Sequence, residues 1–402
     1  YNFNIFGIIK SIIMKMKIYL IKNISTWMLD ELLAFSEYTK FKVVLLRNPP
    51  EFYDEDLKKL KNNDIEIIVH PFKYNFILKK LFFIIPFFFK NISKFSFNYN
   101  GVIGLKSIIW FLKLDLTLFP TNTSIHAQFA TQASILSLLL KKFRKNNLEY
   151  FFTFHAHDIY FDNKWFPLLV NNSHYAFSIS EYNVRYINQK YINLNKEKII
   201  VTKLGVFRPQ GINPKNINNK ECFRLGFISW FVEKKGIFYL LEAMKLLKNY
   251  NIELILAGDG PLKQKITQFI DKEKLTDIVT YIGKLKDCEK ENFFKSLDVF
   301  VLPAITVSND MDGIPVVLME AISYGLPIIS TNVSGIPEIC KNNYNGFLIQ
   351  EKNVNEIVNA ITKLYNDKTL IKQFSINSLE LSKQYDIEIN SKNKITILGW
   401  NN

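Results

Sequence analysis

Residues 312–325, with the sequence D-G-I-P-V-V-L-M-E-A-I-S-Y-G, place one carboxylate on an otherwise apolar segment that has the length of a short helix. Pro315 suits the first position of that helix, and Gly325 suits its carboxyl-terminal cap. An unpaired charge is costly to bury, whereas the hydroxyls of a ribose or a sugar can each donate a hydrogen bond to a carboxylate. Glu320 is therefore predicted to hold a polyhydroxylated ligand. An internal pair with a lysine or with backbone amides is the alternative.

The same segment offers a second binding feature at its amino-terminal end. The backbone N–H groups around Gly313, Ile314 and Val316 have no partners within the helix, and they lie at the positive end of its dipole. They would form a small electropositive cup for an electron-rich oxygen. A plain helix start is the alternative.

Two adjacent lysines, Lys234 and Lys235, lie in the sequence V-E-K-K-G, immediately before a predicted helix at residues 237–247. Cations at a helix amino terminus oppose the helix dipole unless an anion lies between them. A diphosphate would satisfy the lysines and the helix together, so both lysines are predicted to bind one. Two solvated loop lysines are the alternative.

A third polar cluster follows an apolar run in the first half of the chain. The sequence F-F-T-F-H-A-H-D-I-Y, residues 151–160, puts His155, His157 and Asp158 at the carboxyl end of a predicted strand. Binding and catalytic groups concentrate at that end of parallel strands. The cluster lacks the cysteines or the spaced histidine pair of a metal site, so no metal is predicted there.

Two further features are interpreted as having no functional role. His126, in the predicted loop after Pro120, could face the same site, but a core histidine is the favoured interpretation. Asp310-Met311-Asp312 matches the D-x-D metal signature of another enzyme architecture, and we interpret this three-residue match as chance.

Short apolar runs, separated by segments with helical spacing, are predicted to be the buried parallel strands that position these groups. In the first half of the chain they are residues 17–21, 41–46, 65–70, 116–120, 150–157 and 175–180. In the second half they are residues 224–228, 252–257, 278–282, 299–303, 327–331 and 346–349. This alternation predicts an α/β fold of two Rossmann-like, doubly wound domains facing a cleft, with ligands at the carboxyl ends of the strands.

The composition also suggests where the domains begin and end. Residues 209–220 are rich in Asn, Pro and Lys, which is typical of a linker between an amino-terminal domain at 16–208 and a carboxyl-terminal domain at 221–385. Residues 1–15 are interpreted as a leader outside the domains. Residues 386–402 are predicted to form a helix that packs back on the first domain.

Size, charge and cysteine content narrow the class of protein. The chain has 402 residues, 48% of them hydrophobic, and three widely separated cysteines, which suits two globular domains without a disulfide framework. Its formal net charge of +14 suits nucleic acid, an anionic membrane or a phosphorylated substrate, and the Lys-rich bias of an AT-rich genome is the alternative explanation. The sequence lacks a basic–aromatic nucleic-acid module and a G-x-G-x-x-G after the first strand, so nucleic acid and a nicotinamide cofactor are not predicted.

Five ordered motifs together resemble one known family. They are F-T-F-H-A-H-D-I-Y at 152–160, I-S-E-Y-N at 179–183, V-E-K-K-G at 232–236, A-G-D-G-P at 257–261 and D-G-I-P-V-V-L-M-E-A at 312–321. Over nearly its whole length the sequence is similar to family 4 of the retaining glycosyltransferases, which has the GT-B fold. Within that family it is similar to the colanic-acid and exopolysaccharide branch.

The resemblance implies a role for each of the residues singled out above. Glu320 would bind the ribose hydroxyls of a nucleotide-sugar donor, and Asp312 would lie beside the donor sugar. Lys235, with Lys234 next to it, would contact the diphosphate, and His155 would lie near the transferred sugar. The family transfers its sugar without a metal and with retention of configuration, by front-face attack in which a phosphate oxygen assists removal of the acceptor proton.

Two positions depart from the family pattern. Trp230, counted here among the donor-site residues, stands where the family usually has an arginine that contacts the diphosphate. Lys234 or another basic residue must then substitute, or activity is weakened or lost. Asp312 replaces a Glu and keeps its charge with a shorter reach. The alternative function is therefore a degenerate member that binds a nucleotide sugar or glycan without transferring it.

The resemblance also implies the classes of donor and acceptor. A UDP-sugar is the favoured donor and a GDP-sugar the second choice, with Gly258 and Gly260 lining the nucleotide pocket. The acceptor would be a precursor of a cell-surface glycan, including a lipid-linked oligosaccharide.

A basic and aromatic segment suggests where the protein works. Between Tyr74 and Phe111, lysines alternate with aromatic residues, and we hypothesise that this surface rests on the anionic inner face of the cell membrane. Core packing of the same aromatics is the alternative. The densest apolar run, residues 81–89, is much shorter than the ~20 residues of a spanning helix. A cytoplasmic protein, peripheral at the membrane, is expected.

Overall fold

The computed structural model describes residues 15–22, 24–50, 54–72, 77–95, 99–145, 147–215, 222–308 and 310–401. These residues form two compact units. The first unit contains the described residues up to Ser178, residues 184–202 and the residues from Ser391 onwards. The second unit contains residues 179–183 and 203–390.

A parallel sheet of seven strands forms the centre of the first unit, with the order β3-β2-β1-β4-β5-β6-β7. Its strands are β1 (Met16–Ile21), β2 (Lys42–Leu45), β3 (Glu66–Val69), β4 (Thr123–Gln128), β5 (Glu149–Phe154), β6 (Ala176–Ser178) and β7 (Ile199–Val201). The central strands β1, β4 and β5 are buried along almost their whole length, as expected for a parallel sheet covered on both faces.

Helices connect successive strands of this sheet. They are α1 (Thr26–Ser36), α2 (Asp54–Asn62), α3 (Ile77–Lys90), α4 (Tyr99–Lys113), α5 (Gln132–Phe143), α6 (Ala156–Tyr160), α7 (Phe166–Asn172) and α8 (Glu181–Lys190). The end of the chain completes the core of this unit. Trp400 is fully buried, stacks on Phe41 and donates a hydrogen bond from Nε1 to Ser124 Oγ at 2.7 Å.

A parallel sheet of six strands forms the centre of the second unit, with the order β10-β9-β8-β11-β12-β13. Its strands are β8 (Phe223–Trp230), β9 (Ile252–Asp259), β10 (Val279–Gly283), β11 (Val299–Leu302), β12 (Ile328–Thr331) and β13 (Gly346–Ile349). The remaining helices are α9 (Ile237–Leu246), α10 (Lys263–Lys272), α11 (Asp287–Ser296), α12 (Val316–Ser323), α13 (Ile336–Ile339), α14 (Val354–Asn366), α15 (Lys368–Ser382) and α16 (Ile387–Leu398).

Each sheet has one position where the strand order reverses. In the first unit β1 lies between β2 and β4, and in the second β8 lies between β9 and β11. The connections leaving the two central strands at such a position run to opposite faces of the sheet, which opens a crevice at the carboxyl ends of the strands. The two parallel sheets with their helices confirm the predicted α/β fold of two Rossmann-like domains.

One strand prediction was wrong, and strand β7 was not predicted. Residues 116–120 do not form a strand but contain a 3-10 turn, Leu116–Leu118, whose start is capped by the side chain of Asp115 accepting from Thr117 N at 3.0 Å. The strand lies a few residues later, at β4, and every residue in it is buried. His126 is consequently a strand residue in the core and not a loop residue.

The division between the units lies at residues 202 and 203, before the proposed linker at 209–220. Residues 216–220 of that segment, and residues 1–14 of the proposed leader, lie outside the described residues. The proposed terminal segment 386–402 contains α16, of which the part from Ser391 onwards belongs to the first unit.

Across the described ranges, the longest apolar helices are too short to cross a bilayer. Helix α3, which contains the apolar run at 81–89, has 14 residues and includes Pro86.

Candidate functional site

The site in the second unit is built where its strand order reverses. Strand β8 is followed by a 3-10 turn, Glu233–Lys235, and by Gly236, whose φ of +68° is left-handed. A Cβ on Gly236 would lie 1.8 Å from Pro303 O, so only glycine lets this turn pack against the end of β11. Ile305 N also donates to Lys234 O at 2.8 Å. The lysine turn is therefore held against the segment that leads from β11 to α12.

Both predicted phosphate-binding lysines contact carboxylates of that segment. Lys235 Nζ lies 2.5 Å from Asp312 Oδ2. Lys234 Nζ lies 3.0 Å from Asp310 Oδ1 and 3.6 Å from Asp312 Oδ1. The side chains of Lys235 and Asp312 are only 16% and 12% exposed, so their attraction is screened less than that of a surface pair. The site thus carries a half-buried, charge-compensated cluster, and sequence reasoning had not linked Asp310 to it.

Helix α12 begins directly after this cluster. Its N-cap is Pro315, in an extended conformation, so the proline precedes the helix where the sequence had suggested the first helical position. The N-cap residue contributes no capping side chain. Gly313 and Ile314, which lead into the helix, pack against Gly335, where an added Cβ would lie 2.8 Å from Ile314 Cγ1. At the other end Gly325 has φ +68°, the left-handed terminus expected from the sequence.

Glu320 lies in the second turn of α12, and its Oε1 forms an ion pair with Lys290 Nζ of α11. The two side chains are 21% and 28% exposed, so Glu320 is half-buried and not isolated in an apolar environment. The lysine pairing that the sequence left open is therefore present. A ligand role for the same carboxylate stays a prediction, because an ion pair at one oxygen leaves a carboxylate further capacity to accept hydrogen bonds.

Gly258 and Gly260 have a structural role of their own. Their φ values are +130° and +145°, and a Cβ would lie 2.0 Å from Ser229 O or 2.6 Å from Phe231 N respectively. The two glycines therefore allow the end of β9 to pack against the end of β8. Trp230, which pairs with Asp259 in this register, is 60% exposed. Its indole is thus available at the surface beside the lysine turn.

In the first unit, His155 follows β5 and is the N-cap residue of α6. Its Nε2 lies 3.0 Å from Gln128 Oε1, and its ring packs between Trp27 and Phe129, with centroids at 4.9 and 4.5 Å. Burial, with a smaller effect of the Lys394 charge, lowers the pKa of His155 to about 3. The imidazole is therefore neutral near pH 7.

Asp158 stabilises the turn that carries His155. Its Oδ2 accepts from His155 N at 2.9 Å, while Oδ1 is buried without a partner among the described residues. Burial raises the pKa of this carboxyl to about 7, against the opposing effect of hydrogen bonds from backbone N–H groups. His126 is fully buried on β4 with Nε2 2.9 Å from Thr153 Oγ1, so it is a core histidine.

The chain resembles known proteins in both sequence and fold. Residues 210–380 match the family model described as glycosyl transferases group 1. The chain is 33% identical over 177 residues to the amylovoran biosynthesis glycosyltransferase AmsK of Erwinia amylovora, covering 42% of each protein. It is 31% identical over 170 residues to WcaL of Escherichia coli, named for colanic acid biosynthesis, covering 41% of this chain and 42% of WcaL. The chain thus matches about two fifths of the length of these relatives.

A solved structure shares the fold over almost the whole chain. The structure of Anabaena Alr3699/HepE in complex with UDP superimposes with a TM-score of 0.69, covering 96% of this chain and 100% of that chain at 15% identity.

Proposed function

We propose that the chain, whose residues 210–380 match the family model of group 1 glycosyl transferases, is a GT-B glycosyltransferase that transfers a hexose from a UDP-sugar to the precursor of a cell-surface exopolysaccharide. The observation that carries the proposal is the arrangement after β8 and β11, where Lys235 meets Asp312 just before the amino terminus of α12. The positive charge of the lysines and the positive end of a helix dipole lie together at the carboxyl ends of the strands, where the strand order reverses. Doubly wound sheets bind nucleotides at this position.

We propose that the lysines stabilise the leaving diphosphate. When the bond between C1 of the sugar and the phosphate oxygen breaks, negative charge accumulates on the diphosphate, and Lys235 with Lys234 neutralises it. In this half-buried environment the attraction is stronger than in water. The acceptor hydroxyl forms its bond to C1 on the same face, and its proton passes to a phosphate oxygen, so configuration is retained. His155 is proposed, from the family resemblance, to contact the transferred sugar.

No metal is needed in this proposal. Asp310 and Asp312, the two carboxylates of the D-x-D sequence, contact the ammonium groups of Lys234 and Lys235. A cation would have to displace those lysines to bind there, whereas a diphosphate can take the lysines as partners. The chemistry of the cluster therefore favours an anion.

Glu320 is proposed to bind the ribose of the donor. Lys290 supplies a counter-charge to the carboxylate and fixes the position of Oε1. A vicinal diol can donate two hydrogen bonds to a carboxylate, and such charge-assisted bonds are the stronger kind. UDP is the favoured nucleotide because the fold is shared with the UDP complex of Anabaena HepE, and GDP is the second choice.

The acceptor side is proposed to meet the cytoplasmic face of the membrane through helices α3 and α4. Four large apolar side chains repeat at helical spacing on α3 and are 52–79% exposed: Leu78, Phe82, Ile85 and Phe89. Val102, Leu105 and Ile109 of the neighbouring α4 are 41–50% exposed. We call these seven residues the apolar face. Other aromatics of the same helices pack inward, for example Phe83 on Phe111 at 5.7 Å.

Charge complements the apolar face. Residues 67–114 contain seven lysines and no Asp or Glu, so an anionic lipid surface would attract this region without opposing charge. Residues 74–76 and 96–98 of the hypothesised surface lie outside the described residues. An apolar helical stripe flanked by lysines is the pattern of a segment that lies in the membrane interface. A lipid-linked acceptor would be accessible there.

The membrane proposal is tested by sedimentation with phosphatidylglycerol vesicles. Replacing Phe82 and Phe89 by serine should weaken binding by at least about 100-fold, because each buried phenylalanine contributes about 1.5–3 kcal/mol. Ile192→Ser is the matched control, since Ile192 is 93% exposed in the same unit but outside the apolar face. Unchanged sedimentation of the double variant would refute the proposal.

The transferase proposal is tested by ligand-induced stabilisation followed by donor turnover. UDP-, GDP- and ADP-glucose are compared at equal concentrations, and the cognate donor at 100 times its Kd should stabilise the protein by about 2.7 kcal/mol. Released nucleotide then measures donor hydrolysis or transfer. If no nucleotide sugar raises Tm, the donor site is rejected. Binding without any turnover would instead identify a protein that holds a nucleotide sugar without transferring it.

A further inference from the structure

A buried polar network connects the last helix of the chain to His155. It consists of Tyr19 on β1, Glu31 on α1, Gln128 at the end of β4, His155 and Lys394 on α16. All five residues are less than 9% exposed. Sequence reasoning found only His155, because the other four residues are separated along the chain and belong to no motif.

Glu31 is the centre of the network and receives three donors. Lys394 Nζ lies 2.6 Å from Oε1, Gln128 Nε2 lies 2.8 Å from Oε2, and the hydroxyl of Tyr19 donates to Oε2 as well. A buried carboxylate without such partners would be strongly destabilising. Here the opposite charge of Lys394 and three hydrogen bonds satisfy it, so its orientation is fixed.

This geometry determines how Gln128 is oriented. Its Nε2 donates to Glu31 and to the hydroxyl oxygen of Tyr19. A flipped amide would place its carbonyl oxygen against the carboxylate of Glu31, so only one orientation is compatible with the charge. Oε1 of Gln128 must therefore point at His155 Nε2, 3.0 Å away.

The orientation of Gln128 in turn selects one tautomer of His155. A carbonyl oxygen only accepts hydrogen bonds, so the nitrogen facing it must carry the proton. Because burial keeps the ring neutral near pH 7, proton occupancy at Nε2 leaves Nδ1 with a lone pair. Packing between Trp27 and Phe129 restricts rotation of the ring.

We propose that Lys394 and Glu31 are positioning residues that act through Gln128 to hold His155 as the Nε2–H tautomer, so that Nδ1 accepts a hydrogen bond from a sugar hydroxyl. The role of the sugar hydroxyl rests on the proposed transferase function. The tautomer itself does not, since it follows from contacts within the first unit.

Lys394 of α16 would then support the site as well as the core. Lys394 and Trp400 belong to the same terminal segment, and both are buried against strands of the first unit. Removing Lys394 leaves Glu31 without its counter-charge, which favours the protonated acid. A protonated Glu31 can donate to the oxygen of Gln128, whose amide then turns its N–H₂ towards His155. We therefore expect the histidine to change to the Nδ1–H tautomer.

The test is ¹⁵N NMR of the imidazole nitrogens in the full-length chain, with the His155 signals assigned from the His155→Gln variant. Wild type should show a protonated Nε2. Lys394→Met should show a protonated Nδ1, and so should the charge-balanced double variant Lys394→Met/Glu31→Gln, whose amide can also donate to Gln128. Lys141→Met is the control, because Lys141 is a half-buried lysine whose hydrogen-bond acceptor among the described residues is Asn172 O, at 2.7 Å.

Stability and turnover separate positioning from a structural role. The double variant should recover most of the Tm that Lys394→Met loses. It should nevertheless keep the altered tautomer of His155. Its kcat for donor turnover should be about tenfold below wild type, the cost of one misplaced hydrogen bond. The proposal would be overturned if His155 of the double variant showed the wild-type tautomer, or if His155 of the wild type carried its proton on Nδ1. If Lys394→Met does not fold, the double variant decides the question. Absence of turnover in wild type would refute the transferase proposal and leave the tautomer result valid.

Discussion

Replacing Glu320 by glutamine separates the structural role of this carboxylate from its proposed ribose contact. Glu320 and Lys290 are both more than one fifth exposed, and ion pairs of that kind contribute about 0.2–1 kcal/mol to stability. Glutamine has nearly the same shape and keeps one hydrogen-bond acceptor. The free energy of unfolding of Glu320→Gln should therefore fall by no more than about 1 kcal/mol.

Binding of UDP should respond much more strongly than stability. Hydrogen bonds to a charged group contribute about 1.5–3 kcal/mol, so loss of the charge that accepts the ribose hydroxyls should raise Kd by about 10- to 150-fold. Isothermal titration calorimetry with UDP measures Kd, and urea unfolding of the same samples measures stability. The contrast between a small stability change and a large affinity change is the expected signature.

Glu291→Gln is the matched control for this experiment. Glu291 forms an ion pair with Lys295 on α11, the helix that also carries Lys290, and both side chains are about half exposed. Its replacement should leave the Kd of UDP unchanged. If Glu320→Gln binds UDP within about threefold of wild type, a difference below 1 kcal/mol, the ribose assignment is wrong and the Lys290 pair is structural.

Three further changes have expected outcomes. Lys235→Met should lower kcat for donor turnover by about 10²–10³, the usual loss when one group that stabilises transition-state charge is removed, measured as released nucleotide. Trp230→Arg should lower the Kd of the UDP-sugar about tenfold in calorimetry, since it adds an exposed cation beside the lysine turn. Asp158 has a folded-state pKa raised to about 7 from 3.8, so its contribution to stability is full below about pH 4 and is lost as pH rises through 7. Asp158→Asn should abolish that decline, at most about 3 kcal/mol for the roughly two pKa units between pH 5 and 7, in urea unfolding between pH 5 and 8, whereas exposed Asp162→Asn should not.

Strand β4, one of the two strands that the sequence did not predict, shows what an apolar pattern cannot detect. Strand β4 has the sequence T-S-I-H-A-Q, in which four of six residues are polar, yet all six are buried. Its polar side chains find partners from distant parts of the chain: Ser124 with Trp400, His126 with Thr153, and Gln128 with Glu31. Because these partners are defined only by the tertiary fold, a search for apolar runs selected residues 116–120, which form a 3-10 turn.

Strands β11 and β12 were predictable because their apolar residues have no solvent-facing side, whereas the short, half-buried strand β7 was not predicted. Strands β11 and β12 are buried throughout, and the predicted segments 299–303 and 327–331 differ from them by one residue at one end. Gly258 and Gly260 were singled out from the sequence as lining a nucleotide pocket, but their structural role could not be predicted. Gly258 and Gly260 are required by the close packing of β8 and β9, whatever the site binds.

Within the site, the chain topology predicts which residues lie at the same edge of the sheet, but it does not predict which side chains form pairs. Lys235 follows β8 and Asp312 follows β11, and adjacent parallel strands bring such residues to the same edge of the sheet. The pairing of Lys234 with Asp310 and of Glu320 with Lys290 depends on side-chain positions that no spacing rule encodes. The D-x-D sequence is an example. Its two carboxylates contact lysines, and a match of three residues cannot predict such contacts.

The charge-compensated cluster has a consequence for how a donor would bind. Lys235 is already paired with Asp312, so a diphosphate would compete with the carboxylate for that ammonium group. A diphosphate offers more charge and more acceptor oxygens than one carboxylate, and the uncapped start of α12 adds attraction that Asp312 alone does not use. The exchange would release Asp312 from Lys235 only while phosphate is bound. We infer that the carboxylate becomes available to the donor sugar through donor binding itself, which couples recognition of the diphosphate to contact with the group being transferred.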